Sequence, residues 1–229
     1  MSIFREYFKK WPIFYYFVGT VFGPVLLAGL NPRGFLKKYK IDGKVLNIGS
    51  GPRRIASGVI NMDIEKYEGV DIVGDATNMP FDDNTISAVI CDNVLEHVKD
   101  PQKVAGEINR VLNVGGVAYI STPFIYPFHS SPYDFTRWTK QGLEKLFSDF
   151  DIVEIGSRSG PFSSLVVCLC YLFATIFSFG NSTIYWFLVD LFMFVFFPIK
   201  FLDVIFNFWP NSINMAAVLY VVVRKKDGQ

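Results

Sequence analysis

Residues 45–51 read Val45-Leu46-Asn47-Ile48-Gly49-Ser50-Gly51, and this stretch decides the fold. An apolar strand runs straight into a Gly-x-Gly turn. Glycines at 49 and 51 remove the Cβ atoms that would hold a ligand away from the backbone. Two carboxylates follow, Asp63 at the end of Gly58-Val59-Ile60-Asn61-Met62-Asp63 and Asp75 in Gly74-Asp75-Ala76. An acidic residue at the tip of the next strand can accept both hydroxyls of a ribose. The pattern predicts a site for an adenosine-containing cofactor.

The dinucleotide fingerprint wants a third glycine three residues after the second. Here Pro52-Arg53-Arg54 stands in that place. No Gly-Lys-Ser/Thr follows, which removes the phosphate-cradling P-loop. Outward from the turn come Gly74-Asp75-Ala76-Thr77-Asn78-Met79-Pro80-Phe81, then Cys91-Asp92-Asn93-Val94-Leu95-Glu96-His97-Val98, then Glu107-Ile108-Asn109-Arg110-Val111-Leu112, then Gly115-Gly116-Val117. In this order and spacing, the chain resembles the class I S-adenosylmethionine (SAM)-dependent methyltransferases, type 11-like. The resemblance covers roughly residues 43 to 157 and a last strand near 216 to 224.

What the resemblance implies is an α/β, Rossmann-like, seven-stranded mostly parallel sheet with the seventh strand antiparallel. It implies SAM as cofactor, with Gly49 and Gly51 facing its methionine and adenosine portions. Asp63 would hold the ribose hydroxyls, and Asp75 the adenine amino group, with Ala76 offering its backbone. Asn93 and Glu96 would line the turn after strand four and contact the cofactor. Asn47 departs from the family pattern, which prefers an acidic residue there to hold the cofactor's amino group. Weaker SAM affinity and a degenerate site are the two consequences to weigh.

The 229 residues carry a net charge near zero and three cysteines. No basic stripe is interleaved with aromatics, so nucleic acid is not an expected partner. Cys91, Cys168 and Cys170 have neither metal-ligand nor disulfide spacing, which fits a reducing compartment.

The expected strands are 44–48, 58–63, 70–73, 87–91, 117–121, 150–155 and 216–223. Helices are expected over 101–112, with Asp100 as N-cap and Gly115-Gly116 as terminator, and over 139–147. Only Gly51 to Ser57 joins the first two strands, so the usual crossover helix shrinks to a turn or two. Parallel crossovers normally take roughly a dozen residues.

Two regions stand outside this core, giving divisions at 1–40, 41–158, 159–214 and 215–229. The first is an N-terminal extension whose stretch Trp11–Pro32 holds no charge, read as a bent interfacial or re-entrant helix, with a full span as the alternative. The second is an apolar helical insertion between the last two strands. No residue between Arg158 and Asp190 is charged, and a second apolar run, Ile184 to Ile199, is broken only by Asp190. Around the turn Gly180-Asn181-Ser182 these read as two membrane-length helices. Because the last strand must rejoin the sheet, the insertion crosses a bilayer an even number of times or not at all. Asp190 weighs against deep spanning, since a carboxylate at mid-membrane costs roughly 2.5–3.5 kcal/mol. The expected location is the cytoplasmic face of a membrane, as an integral hairpin or monotopic. A soluble helical cap or a homodimer interface is the competing reading.

The loop after strand five, Pro123 to Thr139, is dense in polar groups among aromatics. It resembles a loop of a methyltransferase subgroup often encoded with glycan-assembly enzymes. Within it His129 is the candidate general base, with an ordinary pKa near neutrality. Asp134 would orient it, and Arg137 would bind a phosphate or carboxylate. A purely structural network of the three is the alternative. His97 reads as capping backbone groups in its turn, or as a second candidate for catalysis. Arg53 and Arg54 could neutralise the cofactor carboxylate or simply be solvated. The functional expectation is a membrane-associated SAM-dependent methyltransferase O-methylating a glycan or lipid-linked sugar intermediate. Methyl transfer to a quinone or other lipid acceptor and a non-catalytic SAM-binding membrane subunit are the alternatives.

Overall fold

The computed structural model describes residues 21–129 and 132–227. They divide into two compact units. The first contains 30–124, 128–156 and 218–227, and the second contains 21–29, 125–127 and 157–217. Residues 11–20 of the N-terminal stretch expected to be interfacial lie outside the described residues.

The first unit is built on the strands β1 (Val45–Ile48), β2 (Val59–Asp63), β3 (Ile72–Val73), β4 (Ile86–Asp92), β5 (Leu112–Pro123), β6 (Phe150–Ser159) and β7 (Val218–Lys225). They form one seven-stranded sheet in the order β3-β2-β1-β4-β5-β7-β6. β1 pairs in parallel with β2 and β4, β2 with β3 and β4 with β5, while β7 runs antiparallel to β5. The order reverses at β1, whose two neighbours lead away in opposite directions. Open α/β sheets bind ligands at the carboxyl ends of the strands at such a switch point. The expected fold class is therefore present in its sheet. The last three residues of β6 belong to the second unit.

The run Val45 to Ile48 is buried at every position, as a central parallel strand with both faces covered must be. Helix α1 (Pro32–Tyr39) was not anticipated inside the N-terminal extension. It starts at Asn31, whose side chain accepts from Gly34 N, and has a proline in its first turn. Its Phe35 is fully buried against Val45, Val59, Ala88, Ile90, Val117, Tyr119 and Val222. Ile55 and Ala56 of the β1–β2 connection pack on the same cluster, and Arg33 Nε donates to Ile55 O at 2.9 Å.

That connection corrects the expectation of a shortened crossover helix, because residues 49–58 form turns only. A ten-residue link has no length to wind a helix and return, and α1 covers part of the face left bare. Helix α2 (Pro101–Val111) is capped by Asp100 as expected. It ends at Val111, not at the glycine pair. Gly115 (φ +74°) instead lies inside β5, near the register shift opposite Ile86 and Ala88. Helix α3 (Lys140–Leu146) is capped by Thr139. β7 runs two residues beyond the expected end because Lys225 is buried, its Nζ donating to Leu112 O at 2.9 Å and Asn84 Oδ1 at 2.8 Å.

The second unit holds α4 (Pro161–Phe177), α5 (Ser182–Phe196) and α6 (Asp203–Phe206), with 3-10 segments at Phe197–Leu202 and Ser212–Met215. Buried Asp203 accepts from Phe162 N and Ser163 N at 2.9 Å each, closing the exposed donors at the start of α4. Asn181 caps α5 through Thr183 N and Ile184 N. The two helices are not of membrane length. At 17 and 15 residues they rise roughly 26 and 23 Å, against about 30 Å of hydrocarbon. No helix among the described residues is long and apolar enough to cross a membrane. Asn181 and Pro198 cut the apolar run into these lengths.

Candidate active site

The glycine turn is held by geometry that other residues would strain. Gly49 has φ +62°, and a Cβ there would sit 2.4 Å from Val94 Cγ2. Gly51 has φ +55°, with nothing within 4 Å of where its Cβ would be. The first glycine packs the turn against the end of β4, and the second leaves open space. Asp63 Oδ2 accepts from Gly51 N at 2.8 Å, and its Oδ1 accepts from Glu65 N at 3.0 Å. Ser50 N donates to Met62 O. The tip of β2 therefore fastens the turn directly. A carboxylate oxygen has two acceptor positions, so both oxygens keep capacity for a ribose.

Asn47 is buried, and its Nδ2 donates to Asn61 Oδ1 at 3.1 Å, its partner across β1 and β2. Asn61 Nδ2 in turn donates to Gly69 O at 2.9 Å and Arg53 O at 3.3 Å. An aspartate at 47 would bring no donor to this chain of bonds. Asn47 thus belongs to a neutral network that anchors the loops on either side of β2. Arg54 is tied into the same network, with Nη2 on Asp71 Oδ1 and Asp71 Oδ2 accepting from Asn61 N. Asn61 went unremarked in the sequence. A polar residue repeating in step with Asp63 inside an apolar strand was its only signal.

Asp75 closes its own turn, Oδ1 accepting from Thr77 N at 2.8 Å while its carbonyl accepts from Asn78 N. Ala76 sits in that turn. The following loop is clamped from below by α2. Arg110 donates to Met79 O, Phe81 O, Asp83 Oδ1 and both oxygens of Glu107, and Glu107 Oε2 accepts from Met79 N at 2.6 Å. Arg110 holds the Glu107 carboxyl below its usual range.

At the carboxyl end of β4, Asn93 has φ +55°, a left-handed backbone rare for a residue with a side chain. Its N–H donates to Ser121 O at 3.0 Å, and Ser121 Oγ donates to Asp92 Oδ1 at 2.5 Å. The chain then turns through a 3-10 segment, Leu95–His97. Here the loop after β5 docks. Phe135 N donates to Glu96 O at 2.7 Å, Thr136 Oγ1 to Leu95 O, and His97 Nδ1 meets Tyr133 O at 2.5 Å. A carbonyl only accepts, so Nδ1 carries the proton, and Nε2 of a neutral His97 presents a lone pair.

In the docked loop, Asp134 Oδ2 accepts from His129 N at 2.7 Å, and Arg137 engages both carboxylate oxygens, Nη2 meeting Oδ2 at 2.7 Å. That charge-assisted pairing holds the Asp134 carboxyl down at about 2. His129 Nδ1 lies 3.6 Å from Asp134 Oδ2 and 3.3 Å from Arg137 Nη2. Asp134 therefore grips the backbone of His129 and the guanidinium more closely than the imidazole. The rings of His97 and His129 meet edge to face, 5.3 Å between centroids. Beside them Glu96 is fully buried. Burial pushes its carboxyl up to about 7, and its Oε1 has no hydrogen-bond partner among the described residues.

The unit thus brings Gly49, Gly51, Asp63, Asp75, Ala76 and Asn93 to one edge of the sheet. The 95–97 turn and the 128–138 loop are stitched together beyond β4. The proximity of His97 and His129, 32 residues apart, was not legible as spacing in the sequence.

Residues 52–120 match the family described as the methyltransferase domain. An uncharacterised methyltransferase of Mycobacterium sp. (strain JLS) is 28% identical over 113 residues, covering 41% of this chain and 44% of that protein. The demethylmenaquinone methyltransferase of Renibacterium salmoninarum is 36% identical over 77 residues, covering 32% of each. The chain thus spans less than half the length of these curated relatives. A solved SAM-dependent methyltransferase from Thermotoga maritima is 16% identical, with a TM-score of 0.55 over 96% of this chain and 98% of that one. It shares the fold. Residues 52–120 are thus similar to a methyltransferase domain over about a third of the chain.

Proposed function

We infer that this chain is a SAM-dependent methyltransferase that O-methylates a glycan or lipid-linked sugar intermediate at a membrane surface. The observation that carries the cofactor is the Asp63–Gly51 bond. It sets a two-oxygen acceptor beside a turn with open space at the second glycine. These residues fit an adenosine-bearing ligand, with Asp63 toward the ribose, Asp75 and Ala76 toward the base, and Gly49 and Asn93 along the remainder. Bound there, SAM would supply a methyl group activated on a sulfonium.

The protein's part is alignment, exclusion of water and removal of the acceptor's proton. His129 is the group assigned to the proton. Asp134 acts as a positioning residue through the His129 backbone, and Arg137 completes its charge. A hydroxyl acceptor needs such a base more than a carbanionic carbon or a free amine does.

The membrane part rests on the second unit. Phe177, Phe179, Phe187, Phe194, Phe208 and Trp209 are among many large apolar side chains it leaves exposed. Surfaces of this character mark interaction with membranes or partners. A second reading, transfer to a quinone-like lipid, is favoured by the demethylmenaquinone methyltransferase among the relatives.

Calorimetry of the purified chain with SAM and its demethylated product tests the cofactor, and absence of binding at millimolar ligand refutes the enzyme reading. Mass spectrometry of membrane extracts, with and without the active protein, then reads the acceptor. A product one methylene heavier on a sugar-bearing lipid supports the first reading, and the same gain on a quinone selects the second.

A further inference from the structure

We propose that Glu96, His97 and His129 form a binding site for a divalent transition metal, of the two-histidine, one-carboxylate type that takes zinc with an open coordination position. One ligand atom from each residue lies within 4.8 Å of the other two. Glu96 Oε1 and His97 Nε2 are 3.8 Å apart. In a tetrahedral zinc site, ligand atoms stand roughly 3.4 Å from one another, given metal–ligand bonds near 2.05 Å. Closing the cluster onto an ion needs shifts of about an ångström, within the reach of side-chain torsions on a loop.

Four features independent of that spacing point to a cation. Glu96 is wholly buried, yet its Oε1 has no hydrogen-bond partner among the described residues. A buried carboxylate oxygen left this way costs stability unless something positive or protic meets it. His97 is oriented as metal-ligating histidines are, with Nδ1 held by the Tyr133 carbonyl and Nε2 turned inward. His129 has a carboxylate behind it, Asp134 Oδ2 at 3.6 Å from Nδ1. Arg137 Nη2, which only donates, stands at 3.3 Å from the same Nδ1, so ligation through Nε2 with the ring proton on Nδ1 requires the imidazole to turn from Arg137 toward that carboxylate. Finally, Asp134 and Arg137 neutralise each other, so the carboxylate of Glu96 gives the cluster its net negative charge for a dication. Neutral imidazole and carboxylate donors suit zinc and its first-row neighbours better than calcium or magnesium.

The site stands on this cluster and not on the methyl-transfer reading. If that reading holds, an ion here would lower the pKa of a bound hydroxyl and take over the role assigned above to His129.

The test uses the untagged full chain, stripped with chelator and titrated with zinc by calorimetry and with cobalt(II) by visible absorption. One equivalent should bind, and cobalt should give the intense ligand-field bands of a four- or five-coordinate site. Glu96→Gln and His129→Gln should each weaken zinc binding at least tenfold, while the metal-free melting temperature stays within a few degrees of the wild type, which reports an intact fold. The proposal is overturned if the wild type takes up no stoichiometric metal. It is equally overturned if both variants bind zinc like the wild type. Should Glu96→Gln fail to fold, the wild-type cobalt spectrum decides alone, since a six-coordinate, water-like spectrum excludes this ligand set. Cofactor binding is read separately, so a failure of the metal site and a failure of the methyltransferase reading remain distinguishable.

Discussion

Asp63 Oδ2 holds the backbone N–H of Gly51 at 2.8 Å. One carboxylate therefore shapes the turn and is also the group assigned to the ribose. Asp63→Ala removes both functions and should weaken SAM binding at least a hundredfold in calorimetry. Asp63→Asn can keep an acceptor on Gly51 but meets a diol with a mixed donor and acceptor, so a smaller loss, about tenfold, is expected. Equal affinities for wild type and Asp63→Ala would remove the residue from the cofactor site.

Gly51 separates backbone from packing. Its φ of +55° disfavours a side chain, yet no atom stands within 4 Å of a Cβ there. Gly51→Ala should cost about 1 kcal/mol in stability from the left-handed backbone alone. If the open space belongs to the cofactor, the same methyl group should reduce SAM affinity far more than that stability change suggests. Thermal melts with and without ligand compare the two effects. Unchanged cofactor affinity in Gly51→Ala would place the cofactor elsewhere.

Much of the site could be read from the chain because it is local. Gly49, Gly51, Asp63 and Asp75 sit at strand tips whose apolar runs and glycines announce them. The sheet order then follows from parallel pairing. What could not be read is what depends on side chains meeting across loops. Nothing in the spacing of Glu96 and His129 shows that the loop after β5 folds back onto the turn after β4, through Tyr133, Phe135 and Thr136. The glycine pair at 115 and 116 misled for a physical reason. Glycine terminates helices and also permits bulges, and the backbone used it for the second after α2 had stopped at Val111. The membrane-length reading of the two apolar runs on either side of Asn181 failed on their outer limits, since α4 begins only at Pro161 and α5 stops at Phe196, ahead of Pro198. Helix α1 was hidden because its single buried aromatic, Phe35, lies among lysines.

Glu107 and Arg110 tie the loop behind Asp75 to α2, and their effect on stability depends on pH. Arg110, ahead of all other causes, holds the folded Glu107 carboxyl below its ordinary value. A carboxyl depressed in the folded state contributes stability that is present above the unfolded value, near 4.3, and is lost as pH falls through the folded value. Glu107→Gln should therefore lower the melting temperature at pH 7 and converge on the wild type in acid. A destabilisation of about 2 kcal/mol at neutral pH is expected for losing charged hydrogen bonds of this kind. A pH-independent difference would assign the loss to packing instead of charge.

Asp134 tests positioning against chemistry. It meets Arg137 through both oxygens and the His129 backbone at 2.7 Å, but the imidazole only at 3.6 Å. Asp134→Asn keeps an acceptor for the backbone N–H and loses the charge opposing Arg137. With an acceptor in hand, kcat should fall tenfold or more while SAM affinity stays within twofold, because the cofactor residues lie on other loops. A loss confined to SAM binding would contradict the separate placement of the two.

The exposed apolar side chains of the second unit make a prediction that needs no substrate. Phe179 is 90% exposed at the turn between α4 and α5, and Phe187, Phe208 and Trp209 are each more than half exposed. Each buried aromatic of this size contributes roughly 1.5–3 kcal/mol when it leaves water. Inserting several into the headgroup boundary would hold the protein on a bilayer without a spanning helix. The full chain should then sediment with liposomes of mixed neutral and anionic phospholipids. Phe179→Ser combined with Phe187→Ser and Phe208→Ser should cut the bound fraction at least tenfold while leaving the melting temperature within a few degrees, since these rings stand in solvent. If the triple variant stays on vesicles as the wild type does, this surface is not the attachment. If the wild type stays in the supernatant while crosslinking yields dimers that the triple variant does not form, the apolar surface joins two copies of the chain and the membrane reading falls.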